Sequence, residues 1–102
     1  MSNYERLCFL LLDINDGLLI DLRFGKGINH NKANEILEVL LDIKNNYKNS
    51  DVISKELCNL FIDFYPFIDG SLSLYSIEEV HEILEISDKI LDAMRACVEV
   101  EN

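Results

Sequence analysis

Apolar residues recur along most of the chain at steps of three and four, the period of a helix buried along one side. Leu7, Leu11, Ile14, Leu18 and Leu22 form the first such row, with Cys8 and Leu10 beside it, and predict a helix from about Asn3 to Arg23. Ser2 and Glu5 supply a capping box at its start, and Gly25 and Gly27 its stop. Gly17 weakens the middle by about 1 kcal/mol relative to alanine, which leaves a kink or a split into two shorter helices open. A second helix runs from near Asn31 to Tyr47, with Ala33, Ile36, Leu37, Leu40, Ile43 and Tyr47 on its apolar stripe. The polar run Asn45, Asn46, Asn49, Ser50, Asp51 then suits a turn and a cap, because these side chains compete for backbone hydrogen bonds. A third helix spans roughly Val52 to Tyr65 on Ile53, Leu57, Leu60, Phe61 and Phe64, and Pro66 is expected to close it.

From Pro66 to Tyr75 the pattern is irregular and reads as a loop with a turn at Asp69-Gly70-Ser71. The last helix is the clearest. Ser76 to Glu79 form a second capping box, Tyr75 and Val80 sit where a hydrophobic staple belongs, and Ile77, Val80, Leu84, Leu91, Met94 and Val98 keep the helical step, with Ile83, Ile90 and Cys97 beside them. Four amphipathic helices with short or medium connections predict an all-α fold, an antiparallel up-down four-helix bundle, in one domain over residues 1–102. No internal repeat is apparent.

Composition narrows the function classes. The 102 residues carry 9 Lys and Arg against 19 Asp and Glu, a formal charge of −10. Nucleic acid is therefore not expected as a direct ligand, since binding it means neutralising phosphates with surplus cations. With 49% apolar and 27% charged residues the chain is of ordinary globular composition. Its longest wholly apolar run, Leu7 to Leu12, is six residues, so neither a membrane span nor a secretory signal is expected. Cys8, Cys58 and Cys97 are an odd, widely spaced set among apolar neighbours, which reads as buried thiols in a reducing cytoplasm.

Metal and catalytic patterns come close and fail. His81-Glu82-Ile83-Leu84-Glu85 has a glutamate where a zinc protease has its second histidine, and Glu78 with His81 lacks the second Glu-x-x-His pair that a di-iron bundle requires. Asp13 to Gly17 hints at a calcium loop, yet the glycine is misplaced and Phe24 stands where the bidentate glutamate belongs. Gly25-Lys26-Gly27 follows a helix and lacks the Ser/Thr of a phosphate loop. No nucleophile is oriented by the pattern, so no enzyme activity, cofactor or metal is expected. A metal carrier using His81 and nearby carboxylates remains the alternative of that class.

Charge placement says more. Residues 1–50 hold seven acidic and six basic residues, residues 51–102 twelve and three. Glu78, Glu82, Glu85, Asp88 and Asp92 recur on the polar side of the last helix, opposed by Lys89 and Arg95. Like charges at that spacing cost a few tenths of a kcal/mol per pair, about 0.2–0.5 each, so the row is either a solvated face or a docking surface for a basic partner. Tyr65, Phe67 and Tyr75 fall in the adjoining irregular stretch, where aromatic rings serve as interface anchors or pack a bundle end.

The segment Leu57-Cys58-Asn59-Leu60-Phe61-Ile62-Asp63-Phe64-Tyr65-Pro66, followed by an acidic helix from Ser76, resembles small bacterial immunity proteins of the helical colicin D and contact-dependent growth inhibition kind. The resemblance covers the whole chain as architecture and residues 57–92 locally. It implies a cytoplasmic protein that binds a toxin nuclease domain and shields its basic active site, carboxylates standing in for substrate phosphates. The expected contact residues are Asp63, Tyr65, Phe67, Tyr75, Glu78, Glu82, Glu85 and Asp92. Two alternatives remain: a phage-encoded inhibitor or nucleic-acid mimic, which uses the same surface on another partner, and a structural subunit that dimerises through helix faces.

Overall fold

The computed structural model describes residues 1–99. Those residues form five α-helices and one 3₁₀ turn: α1 (Asn3–Leu12), α2 (Leu18–Arg23), α3 (His30–Tyr47), α4 (Lys55–Asp69), the turn Leu72–Leu74, and α5 (Ile77–Val98). Both capping boxes form. The Ser2 and Ser76 hydroxyls accept from the amides of Glu5 and Glu79, whose carboxylates accept in return from the amides of Ser2 and Ser76. Asn29 caps α3 and Ser54 caps α4 in the same way, through the amides of Lys32 and Leu57.

The helix expected from Asn3 to Arg23 is two helices, the split that Gly17 left open. The Asp13 carboxylate accepts from the amides of Asn15 and Asp16, and the Gly17 amide donates to the Asp13 carbonyl, which folds the chain tightly between α1 and α2. A Cβ on Gly17 would lie 2.5 Å from the Asp13 nitrogen and 2.7 Å from the Leu11 oxygen, both backbone atoms. The glycine is thus a packing requirement as well as a weak point. Lys32 of α3 braces the turn: its side chain is only 12% exposed, and its ammonium lies 2.9 Å from the Asp16 carboxylate and also donates to the Asp16 carbonyl. The Lys32 ammonium on the carboxylate, and a smaller contribution from Asp13, holds the Asp16 carboxyl below the usual aspartate range.

Pro66 does not close α4, which continues to Asp69. The reason lies on the inner stripe: Ile68 follows Phe64 by one turn and both are almost wholly buried, so extending the helix removes another large side chain from water, worth about 1.5–3 kcal/mol. Pro66 sits on the exposed side of the helix, where the amide it lacks is missed least. The stretch expected to be a loop accordingly shrinks, and the 3₁₀ turn fills its middle. Buried Ser71 satisfies its hydroxyl at the Phe67 carbonyl.

All five helices contribute to one core. Leu7 and Leu11, Leu18 and Leu22, Ile36 and Leu40, Phe64, and Ile83 and Ile90 are essentially removed from solvent. The most extensive packing is α3 on α5, followed by α1 on α3; α2 touches both α1 and α4, and α4 lies against α5. Among the described residues, no buried side-chain polar atom lacks a partner, and no helix is long and apolar enough to cross a membrane.

Gly17→Ala should lower stability by about 1–3 kcal/mol through overpacking against backbone. Pro66→Ala should raise it by about 1–3 kcal/mol, since alanine restores the helical amide. Urea denaturation midpoints check both.

Candidate functional site

A long helix with one buried stripe must present the rest of its surface elsewhere, and α5 presents acid. Ile83, Ile86, Ile90, Met94 and Cys97 are buried, while Glu78, Glu82, Glu85, Asp88 and Asp92 are all exposed on the opposite side. These carboxylates are not equivalent. Glu82 receives His30, the first residue of α3, at 2.6 Å between Oε1 and Nε2. Asp92 pairs with Arg95 at 3.3 Å within the helix. Among the described residues Glu78 and Glu85 form no ion pair, so the uncompensated negative charge of the row lies on those two and on Asp88.

The aromatic residues have more specific positions than their irregular pattern indicated. Tyr75 is half-buried, and its hydroxyl donates to the Leu22 carbonyl at the end of α2 while accepting from the Gly27 amide at 3.1 Å. It therefore clasps the α2–α3 connection to the start of α5. That connection bends through Gly25 and Gly27, both with φ near +78°, a conformation that glycine adopts without the strain other residues incur. Phe67 is half-buried beneath Arg23, whose guanidinium lies 3.8 Å from the ring centroid. Such a contact contributes about 0.5–1 kcal/mol at an exposed site. Tyr65 is 42% exposed on α4. Asp63 is exposed two residues earlier on the same helix, which places the two on opposite sides.

The eight expected contact residues are thus divided among three settings. Glu78, Glu82, Glu85 and Asp92 share the polar side of α5. Phe67 and Tyr75 join α2 and the loop after it to the α4–α5 region. Asp63 and Tyr65 face apart on α4. The His30–Glu82 pair and the Arg23–Phe67 contact went unread in the sequence, because each joins residues more than forty positions apart and neither has a local pattern.

The geometry offers little to nucleophilic chemistry. The Cys97 thiol is buried against the carbonyls of Leu40 and Ala93, and burial pushes its pKa up, away from the thiolate form. Among the described residues no three His, Cys, Asp or Glu side chains gather closely enough to hold a metal ion. A different feature stands out beside α4. Cys58, Phe61 and Ile62 of α4 and Leu91, Met94 and Val98 of α5 line an open apolar groove of about 290 Å³, with Arg95 at its edge.

No family model, curated protein or solved structure matches this chain.

Replacing Tyr75 by Phe removes the clasp hydroxyl alone. The expected result is a loss of about 1 kcal/mol in stability, with faster amide hydrogen exchange at Gly27, because the Gly27 amide loses its acceptor while the Leu22 carbonyl keeps the Gly25 amide as a donor. Unchanged exchange at Gly27 would show that the clasp does not hold the loop.

Proposed function

We propose that the protein is a stoichiometric binder of a basic protein, an immunity protein that neutralises a bacterial toxin nuclease domain by covering its cationic active site. The observation that carries the reading is the row of exposed carboxylates on α5, in which Glu78 and Glu85 form no ion pair among the described residues. A fold that bears like charges along one helix at a cost to that helix gains from a partner that neutralises them. Opposite charge also steers encounter, raising association rates well above those of neutral surfaces at low salt.

In this reading the protein acts in the cytoplasm and is a binding module, without cofactor or catalytic set. Its helices form an antiparallel up-down four-helix bundle, with α1 and α2 as one interrupted member. Glu78 and Glu85 make first contact, and Glu82 and Asp92 exchange His30 and Arg95 for cations of the partner. Tyr65 and Asp63 belong to the periphery. Phe67 and Tyr75 act indirectly, by fixing the loops beside the acidic row.

Affinity capture from the native host, with nuclease assay of the captured complex, tests this. A one-to-one complex with a basic polypeptide whose RNA- or DNA-cleaving activity returns when the complex is dissociated is expected. A captured partner without such activity overturns the nuclease assignment. The variant Glu78→Lys with Glu85→Lys leaves the His30 and Arg95 pairs in place, so its helical circular dichroism should be unchanged. Its association with the captured partner should slow by about tenfold or more at low salt. An unchanged rate would remove the α5 row from the interface.

A further inference from the structure

Two Asp-Gly bonds occur in the chain, Asp16–Gly17 and Asp69–Gly70. Aspartate followed by glycine rearranges readily without an enzyme, because glycine has no side chain to shield its amide nitrogen from the neighbouring carboxyl group. The reaction needs an amide nitrogen free to swing toward that carboxyl, a carboxyl able to lose an oxygen as water, and solvent to open the ring that forms. The two sites differ on all three counts.

At Asp16–Gly17 each step is resisted. The Gly17 amide donates to the Asp13 carbonyl at 2.8 Å, and the glycine is buried where an added Cβ would lie 2.5 Å from the Asp13 nitrogen. The Lys32 ammonium lies 2.9 Å from the Asp16 carboxylate and lowers its pKa, favouring the ionised form, which loses oxygen least readily. Ring closure would give up both contacts, and with them the brace between this turn and α3. Asp69–Gly70 instead ends α4 in the open. Both residues are exposed, and among the described residues the Asp69 carboxylate forms no ion pair. The Gly70 amide donates to the Pro66 carbonyl at 3.0 Å in the last turn of the helix, where local opening costs least. Nothing crowds the glycine: the atom nearest an added Cβ is the Pro66 oxygen, 3.4 Å away.

We propose that Asp69–Gly70 is the modification site at which the folded protein converts spontaneously to isoaspartate, and that Lys32 protects Asp16–Gly17 from the same reaction. The Gly70 nitrogen bonds to the side-chain carbonyl carbon of Asp69, and its proton leaves with the carboxyl hydroxyl as water. Water then opens the five-membered imide. When it cleaves the bond from nitrogen to the main-chain carbonyl, the chain continues through the former side chain and the former main-chain carbonyl becomes the free carboxylate. No oxidant is consumed, the charge is unchanged, and the main chain is longer by one carbon. That carbon falls next to Ser71, whose amide and hydroxyl donate to the carbonyls of Ile68 and Phe67 at 2.9 and 3.1 Å and begin the turn that leads to Tyr75. Isomerisation therefore loosens the clasp of Tyr75 on the Gly27 amide.

The test keeps the full chain, reduced, at neutral pH near physiological temperature and samples it over several weeks. Trypsin separates the two sites, cutting at Arg6 and Arg23 around Asp16 and at Lys55 and Lys89 around Asp69. Labelled methyl transfer by an isoaspartyl methyltransferase then counts the product in each peptide. Isoaspartate should accumulate at Asp69 about tenfold or more faster than at Asp16. Gly70→Ala, whose Cβ has room, should remove most of the Asp69 product and retain the helical spectrum. Lys32→Met should raise the Asp16 rate several-fold and leave the Asp69 rate unchanged, which separates loss of the brace from general unfolding. In urea the two wild-type sites should react at similar rates. Equal native rates, a faster Asp16, or a preference for Asp69 that persists in urea overturns the assignment, since the fold then selects nothing. An unchanged Asp16 rate in Lys32→Met, or an equal rise at both sites, overturns the protective role of Lys32. Identical hydrogen exchange at Gly27 in the purified isoaspartate form overturns the link to the clasp.

Discussion

The seam between α3 and α5 is the contact on which the rest of the molecule is arranged. Ile36, Val39, Leu40 and Ile43 from one helix and Ile83, Ile90 and Met94 from the other supply the middle of the core, and α1 packs on α3 as well. Both seam helices are long and carry side-chain caps at their N-termini, Asn29 on α3 and Ser76 on α5. Once α5 has turned its aliphatic stripe onto α3, its remaining surface has no choice of direction. The acidic row must face outward, and the residues on its flank must form one wall of the furrow with α4.

The α4 helix and the α1–α2 pair adapt to that seam in different ways. The α4 helix tolerates a proline because Phe64 and Ile68 gain more by burial than one missing amide costs, and because the proline ring points away from the core. The α1–α2 pair breaks where the Asp13 carboxylate takes the amides of Asn15 and Asp16, a turn that leaves Ile14 in solvent while Leu11 and Leu18 stay inside. Only glycine fits at the place where the backbone of Leu11 and Asp13 returns on itself. Lys32, its side chain mostly buried, reaches the Asp16 carboxylate and locks that turn to α3.

Much of this was legible in the sequence, for reasons that can be named. Capping boxes at Ser2 and Ser76 are local, so three-residue spacing revealed them. Apolar periodicity is local too, and it located α3 and α5 nearly to the residue. Pro66 misled because its local preference was read without the burial of Ile68, a tertiary gain that no neighbouring residue announces. The acidic row was legible as a row, but not the division within it, since the pairing of Glu82 depends on where α3 begins. Likewise Tyr75 reads as an anchor from composition, and its hydroxyl became a clasp through two backbone groups some fifty residues away. Long-range contacts between exposed or half-buried polar groups leave no periodic trace.

The three cysteines differ in a way that has a practical consequence. Cys8 and Cys58 are partly accessible, whereas Cys97 is enclosed and hydrogen-bonded to carbonyls of α3 and of its own helix. A sulfhydryl reagent will therefore meet Cys8 and Cys58 more readily than Cys97 in the native molecule, a ranking readable by mass spectrometry without any added label. Because Cys58 lies in the groove, the same reagent also reports, at a separate site, whether that furrow is covered.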